Sequence, residues 1–201
     1  NGRSRGLGDV YKRQIHIVTP GGNPAVTKHV QTIDIHNQVI SRRDIQRIAH
    51  NNSHQNLPVG HVRIQNQPGL YQLDDQRQIE NPLGMCGRQL SLQFSQLSVS
   101  QTSYANFAQA VQQCHLELGS IHHSAVMAGH ACLTEDDREL GTLLIDFGGG
   151  TTSVAIFSEG QLRFAGTIPM GGLNVTRDIA KMLSITTVSY THLRAHETVH
   201  Y

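Results

Sequence analysis

The feature that most constrains this chain is a pair of apolar, strand-like segments joined by three consecutive glycines. The first segment, residues 143–145, is continuously apolar, which is typical of a strand that is covered on both faces. The second segment, residues 151–157, alternates in polarity and is rich in β-branched residues. It therefore predicts a second strand, one face of which is formed by Thr152, Val154 and Ile156.

The glycine turn between the two strands is a candidate ligand site. Glycine has no Cβ, so the backbone of Gly148, Gly149 and Gly150 can take φ > 0 and approach a ligand closely. Consecutive N–H groups in such a turn can form a concave anion site. Asp146, at the end of the first strand, is a candidate for holding a phosphate-bound Mg²⁺ through water.

One alternative interpretation of this motif stays open, and two are excluded. The simplest alternative is a plain hairpin turn that binds no ligand. The Lys-containing phosphate loop is excluded, because no Lys follows the glycines. The dinucleotide-binding fingerprint is also excluded, because a strand rather than a helix follows the turn.

Composition and charge exclude several classes of protein. The chain has 201 residues, which is room for one or two domains, and a net charge of +1, so charge alone indicates neither nucleic acid nor an anionic membrane as a partner. No apolar run approaches the roughly 20 residues of a transmembrane helix. The spacing of the three cysteines is not that of a metal site and favours reduced thiols in the cytoplasm. His122 and His123 are adjacent in sequence and so do not share one face, which argues against zinc.

The first half of the chain predicts a small α/β module. Residues 29–35 alternate as a strand, and the candidate inward residues are Val30, Thr32 or Ile33, and Ile35. A capping box formed by Ser41 and Asp44 opens a helix that is expected to end at residues 51–53. Strands are predicted at residues 60–65 and 87–99. The intervening residues 66–82 are expected to be loop and turn, with Tyr71 and Leu73 as candidates for strand contacts.

The second half predicts two helices before the glycine turn and one after it. Residues 102–118 show helical spacing of apolar residues, with Gly119 at the C′ position. A strand at 120–123 and a helix at 125–133 follow, and the acidic residues 134–139 are interpreted as a solvated loop.

Beyond the glycine turn, residues 158–160 form a second hairpin turn and residues 162–168 a strand. Gly171 and Gly172 indicate a close backbone approach. A final helix at 177–183 is expected to be capped by Asn174 or Thr176.

The residues flanking the glycine turn, 135–141 and 168–180, closely resemble the second phosphate motif of the FtsA family, the actin-like bacterial cell division proteins. A weaker resemblance extends from Val26 to Ile185. The residues Ile64, Gln65 and Asn66 depart from the family pattern, which often has a proline and an aromatic residue there.

This resemblance implies a mixed α/β fragment of the actin-like ATPase fold, whose lobes are ribonuclease H-like. Residues 15–99 would be the inserted small SHS2 subdomain, also called 1C. Residues 100–140 would end the first lobe (1A), and residues 141–187 would begin the second lobe (2A) with its phosphate motif. Residues 1–14 and 188–201 fit neither the pattern nor the family. They are expected to be non-native, adapter-derived tails that make few contacts with the core.

The resemblance also assigns roles within half of a nucleotide site, with ATP and Mg²⁺ as the cofactors of the intact protein. Asp146 is the acid on the Mg²⁺ side, binding through water. Backbone N–H groups, with a hydroxyl of one of the two threonines, would contact the phosphates, and two further glycines would supply cleft backbone. The phosphate residues are Gly148, Gly149, Gly150, Thr151 and Thr152, and the cleft glycines are Gly171 and Gly172.

By the same resemblance, the intact protein is an ATP-binding adaptor that polymerises and tethers FtsZ filaments to the cytoplasmic membrane at the division septum. Its partners would be FtsZ, other division proteins and its own copies, with no nucleic acid, and a C-terminal helix absent from this segment would reach the membrane. Residues 124–129 contain no Gln or Glu to position water, so at most slow ATPase activity is expected. A pilus-assembly-type actin-like adaptor and an actin-like sugar kinase are the alternatives.

Overall fold

The computed structural model describes residues 14–36, 39–50, 57–67 and 69–197. Strands and helices alternate irregularly along these ranges. In chain order the elements are β1 (Gln14–Thr19), β2 (Ala25–Asp34), α1 (Arg42–His50), β3 (His61–Gln67), β4 (Tyr71–Leu73), β5 (Gln76–Ile79), β6 (Gln89–Ser100), α2 (Gln101–Gln113), β7 (Glu117–His123), α3 (Ser124–Cys132), α4 (Glu135–Leu140), β8 (Thr142–Phe147), β9 (Thr152–Ser158), β10 (Gln161–Ile168), α5 (Gly172–Met182) and α6 (Thr187–Glu197).

The first sheet is antiparallel and is built around the long strand β6. Strand β2 pairs along one edge of β6, while β3 and β4 share the other edge and β5 pairs with β4. Helix α1 covers one face of this sheet near the beginning of β6, because its apolar stripe meets the alternating apolar residues of the strand. The buried cluster comprises Ile35, Ile40, Ile48, Leu73, Leu90, Leu92 and Phe94.

Two further sheets follow. Strands β1 and β7 pair in parallel, and β8, β9 and β10 form an antiparallel meander in the order β10-β9-β8. Helix α3 lies on one face of the meander, where Gly129 leaves room for the ring of Phe157. The second buried cluster joins α3, the meander and the end of β6 through Leu97, Ala125, Val126, Ala155, Phe157, Leu162 and Ala165.

The meander confirms the predicted strands but not the predicted burial. Burial of residues 143–145 on both faces is wrong, because α3 covers only one face of β8. Leu143, Ile145 and Phe147 lie on the other face with 56%, 57% and 66% of their surface exposed. In β9 the side chains alternate as predicted, and the face that contains Ala155 is the more deeply buried one.

The first sheet differs from the sequence prediction at two places. Strand β2 places Ile33 towards the core, whereas Val30 and Thr32 point outwards, so those two inward candidates are wrong. The predicted loop at 66–82 contains the β4–β5 hairpin, because Tyr71–Leu73 pairs with β6. The capping box of α1 is confirmed: the Ser41 N–H donates to Asp44 Oδ2 at 3.0 Å. Its predicted end at residues 51–53 lies outside the described residues.

Two helix boundaries and one loop were also predicted wrongly. Helix α2 ends at Gln113, and His115 takes the left-handed conformation (φ 58°) that was expected of Gly119. Gly119 instead lies in β7, where a Cβ would come within 3.0 Å of the His16 ring. The acidic loop at 134–139 is the helix α4, opened by a Thr134 capping box. Helix α5 begins at Gly172, so neither Asn174 nor Thr176 is its N-cap residue.

The two ends of the chain differ in how much of them the structure describes. Residues 1–13 lie outside the described ranges, and Gln14 pairs with Glu117. Helix α6 contacts α5, and its Val188 and Leu193 side chains are exposed. The non-native origin of both ends stays a prediction. None of the helices in the described ranges is long and apolar enough to cross a membrane.

Candidate phosphate-binding site

The glycine turn connects β8 to β9 as a tight loop closed by its own backbone. The Gly148 N–H donates to the Thr151 carbonyl at 2.9 Å, and a Cβ on Gly148 would lie 2.8 Å from that same oxygen. None of the three turn glycines is among the residues with positive φ, so the turn does not use the left-handed conformation that glycine permits. Close approach of backbone to backbone, and not a left-handed conformation, therefore requires glycine at position 148.

The start of α5 holds this turn in place from the other side. The N–H groups of Gly172 and Leu173 donate to the carbonyls of Gly148 and Gly149 at 3.0 and 2.8 Å. A Cβ on Gly171 would lie only 2.5 Å from the Gly148 oxygen. The predicted close approach is therefore present at Gly171, where its partner is the glycine turn itself, whereas a Cβ on Gly172 would make only an ordinary contact at 3.8 Å.

A further bond fixes the strand that leaves the turn. The Thr152 hydroxyl donates to the Met170 carbonyl at 2.7 Å, which ties β9 to the segment before α5. This hydroxyl and the Gly148 N–H are occupied by the protein in this conformation. The other candidate donors of the turn, described next, have no such partner.

Three consecutive N–H groups remain available. Within the described residues, the N–H groups of Gly149, Gly150 and Thr151 make no hydrogen bond to the protein. A Cβ on Gly150 would meet nothing within 4 Å, and one on Gly149 would only reach Leu173 at 3.9 Å. The turn therefore has open space beside it and three N–H groups that no protein acceptor uses, two features that an oxyanion site requires.

The carboxylate of Asp146 lies beside this turn on the face of β8 that α3 covers. Asp146 is half-buried and pairs across the strands with Ser153, whose side chain is almost fully buried. Among the described residues, no three His, Cys, Asp or Glu side chains converge as metal ligands. A single carboxylate is sufficient for Mg²⁺, which usually keeps several waters and takes its other ligands from phosphates.

A buried histidine that has no assigned role in the sequence pattern lies within range of the charge of Asp146. His123 immediately precedes α3 and is 1% exposed. Burial lowers the pKa of His123, and the negative charge of Asp146 and a hydrogen bond with the Pro20 carbonyl offset this only in part. Its Nε2 atom is 3.1 Å from the Thr167 hydroxyl, which donates to that same carbonyl. The sequence shows this position only as one of two adjacent histidines. That pattern was informative about a zinc site and about nothing else.

Comparison with known proteins gives two matches to family models. Residues 21–97 match the model described as "SHS2 domain inserted in FTSA", and residues 143–189 match "Cell division protein FtsA". The first covers most of the sheet built around β6, and the second covers the meander with its glycine turn and α5.

Curated relatives carry the same description. The chain is 32% identical over 156 residues to "Cell division protein FtsA" of Rhizobium meliloti, covering 78% of this chain and 35% of that protein. It is 32% identical over 165 residues to the Pseudomonas aeruginosa protein (79% and 40%) and 26% identical over 174 residues to that of Escherichia coli K12 (87% and 41%). The chain thus spans about two fifths of the length of these relatives.

Solved structures are more distant. A "PilM-PilN type IV pilus biogenesis complex" is similar with a TM-score of 0.49 and 14% identity, over 92% of this chain and 51% of that one. A likeness at this level does not assign the family. The SHS2 match and the mixed α/β architecture agree with the predicted fold class, and its actin-like description follows from the family. The chain belongs to the FtsA family of cell division proteins.

Proposed function

We propose that this chain supplies one phosphate-binding half of the nucleotide site of a cell division adaptor. In its intact form the adaptor binds ATP, polymerises, and tethers FtsZ filaments to the cytoplasmic membrane at the division septum. Family membership supports the division role, and the open side of the glycine turn carries the nucleotide part.

The strongest observation is that the four closely spaced glycines are not equivalent. Gly148 and Gly171 are required by the fold itself, since a Cβ on either would collide with backbone atoms. Gly149 and Gly150 have space for a Cβ and show no positive φ, so packing does not explain them. Glycine at these two positions keeps the approach to three unused N–H groups clear, which favours a phosphate ligand over a plain hairpin turn.

Asp146 completes the site on its metal side. Its carboxylate would hold a hydrated Mg²⁺ that also binds the phosphates, so that the ion neutralises part of their charge. The turn residues then provide neutral N–H donors to the phosphate oxygens. The remaining donors, and the contacts to the base and sugar, would come from other parts of the intact protein.

The placement of the sheet built around β6 supports a role in protein contacts. This SHS2 region carries its own buried cluster around α1, separate from the cluster beneath the glycine turn. We propose that it contacts neighbouring copies and division partners, including FtsZ, at the cytoplasmic face of the membrane. A C-terminal helix outside this segment would provide the membrane anchor.

The test is binding of labelled ATP to the intact protein with and without two substitutions. Asp146→Ala removes the acid, and Gly150→Ala adds a methyl group where the structure has open space. Each should weaken Mg²⁺-ATP binding by about tenfold or more, because each affects contacts with a charged ligand. Thermal unfolding should remain close to that of the wild type for Gly150→Ala.

Asp136→Ala is the matched control, since it removes an exposed acid of α4 that lies outside the glycine turn. It should bind ATP as the wild type does. Wild-type affinity in folded Asp146→Ala and Gly150→Ala proteins would refute the phosphate site and leave the turn as a plain hairpin.

A further inference from the structure

A partly buried chain of hydrogen bonds runs beside the candidate phosphate site and joins three separate parts of the chain. It links His123 before α3, Thr167 in β10 and the carbonyl of Pro20 in the loop after β1. Thr167 and Pro20 are partly exposed, whereas His123 is almost completely removed from solvent.

The chemistry of the partners fixes the direction of these bonds. A carbonyl oxygen can only accept, so the single hydroxyl proton of Thr167 is donated to Pro20. The Thr167 oxygen must then accept from His123 Nε2, 3.1 Å away. His123 is therefore the Nε2–H tautomer, and its Nδ1 atom carries an unprotonated lone pair.

That lone pair has no partner among the described residues. His123 Nδ1 is buried and makes no hydrogen bond, and the same is true of Ser153 Oγ, which lies directly across from Asp146. Across the meander Thr167 pairs with Ser153 and Ser153 pairs with Asp146, so the three side chains form one row on the same face of the sheet. His123 lies at one end of this row through Thr167, and Asp146 lies at the other end. Buried polar groups without a partner normally bind an ordered water.

We propose that His123 is a positioning residue on the metal side of the phosphate site, where its Nδ1 atom accepts a hydrogen bond from a water that Asp146 holds in the Mg²⁺ hydration shell. This inference rests on the proposed function. Thr167 and Pro20 fix the tautomer and the ring orientation, as carboxylates and carbonyls do for histidines around metal ions.

The first measurement uses the chain by itself and needs no nucleotide. Long-range ¹H–¹⁵N correlation spectra of the labelled chain should show His123 as a neutral Nε2–H imidazole. Titration with Mg²⁺ should shift the Nδ1 resonance in the wild type and leave it in place in Asp146→Ala. A dominant Nδ1–H tautomer would overturn the proposal.

The second measurement uses the intact protein and a matched pair of substitutions. Thr167→Val removes the hydroxyl at nearly constant volume, and Thr167→Ser retains it. Thr167→Val should raise the Mg²⁺ concentration that half-saturates ATP binding by about tenfold. Thr167→Ser should behave as the wild type, a result that a role of the side chain in packing alone would not produce.

The outcomes separate this inference from the proposed function. If the wild-type protein binds no ATP, the proposed function fails and this inference fails with it. If the wild type binds Mg²⁺-ATP while Thr167→Val shows an unchanged Mg²⁺ requirement, only the role of His123 is refuted.

Discussion

Two neighbouring glycines at the start of α5 should respond in opposite ways to the same substitution. In Gly171→Ala the added methyl group would lie 2.5 Å from the Gly148 oxygen and 2.6 Å from the Gly149 oxygen. Both distances are about 1 Å shorter than a normal contact. Gly171 has an extended backbone with φ −156°, so the conflict is one of contact and not of conformation.

The cost follows from what must move. Relieving the contact separates α5 from the glycine turn, which costs about 1–3 kcal/mol for overpacking. It also weakens the bonds from Gly172 and Leu173 to the turn carbonyls, each contributing about 1 kcal/mol. Gly171→Ala should therefore lower the free energy of unfolding by about 3 kcal/mol.

Gly172→Ala is the matched control. Its Cβ would lie 3.8 Å from the Gly148 oxygen, an ordinary contact, and the residue is helical. Alanine is favoured over glycine in a helix, so stability should be unchanged or rise by about 0.5–1 kcal/mol. Urea unfolding followed by circular dichroism measures both. Equal stability of Gly171→Ala and the wild type, or a larger loss in Gly172→Ala, would refute the docking of α5 on the turn.

Two further predictions concern the core and the pH dependence. Phe157→Ala should cost about 3–5 kcal/mol because the ring is 1% exposed, whereas Phe147→Ala, 66% exposed on the next strand, should cost under about 0.5 kcal/mol. If thermal unfolding showed similar losses of stability in the two variants, the assignment of the core to the Phe157 face of the meander would be wrong. Because burial lowers the pKa of His123 from 6.5, the unfolded state binds its proton more readily, so stability should be full above pH 6.5 and fall below it. In His123→Gln the melting temperature should fall less steeply below pH 6.5 than in the wild type. An equally steep fall would show that His123 is not the group responsible.

Local sequence signals were sufficient wherever a structural feature depends on neighbouring residues alone. The strands on both sides of the glycine turn, the hairpin at 158–160 and the Ser41–Asp44 capping box all occur as predicted. Each depends on β-branched alternation, turn residues or a side chain three positions away. The order of motifs along the chain is likewise a property of the sequence alone, and it correctly indicated the family.

Features that depend on distant segments were predicted incorrectly. The spacing of apolar residues predicted that α2 extends to residue 118. In the structure the residues from Glu117 onwards belong to β7, because they pair with β1. Likewise, the apolar run at 143–145 does not reveal which face will be covered. That choice is made by α3, which lies on the side opposite Leu143 and Ile145.

The sequence by itself determined which residues would form the candidate site, since Asp146 and the glycines are contiguous and their chemistry is local. Only the tertiary structure decided how each of them is used. Closure of the turn on Thr151 requires glycine at position 148, docking of α5 requires it at position 171, and Gly149 and Gly150 are left facing open space. It is also the folding of β1, α3 and β10 together that joins His123 to Thr167 and Pro20. No sequence period encodes these contacts, because the three residues are far apart in the chain and meet only through packing.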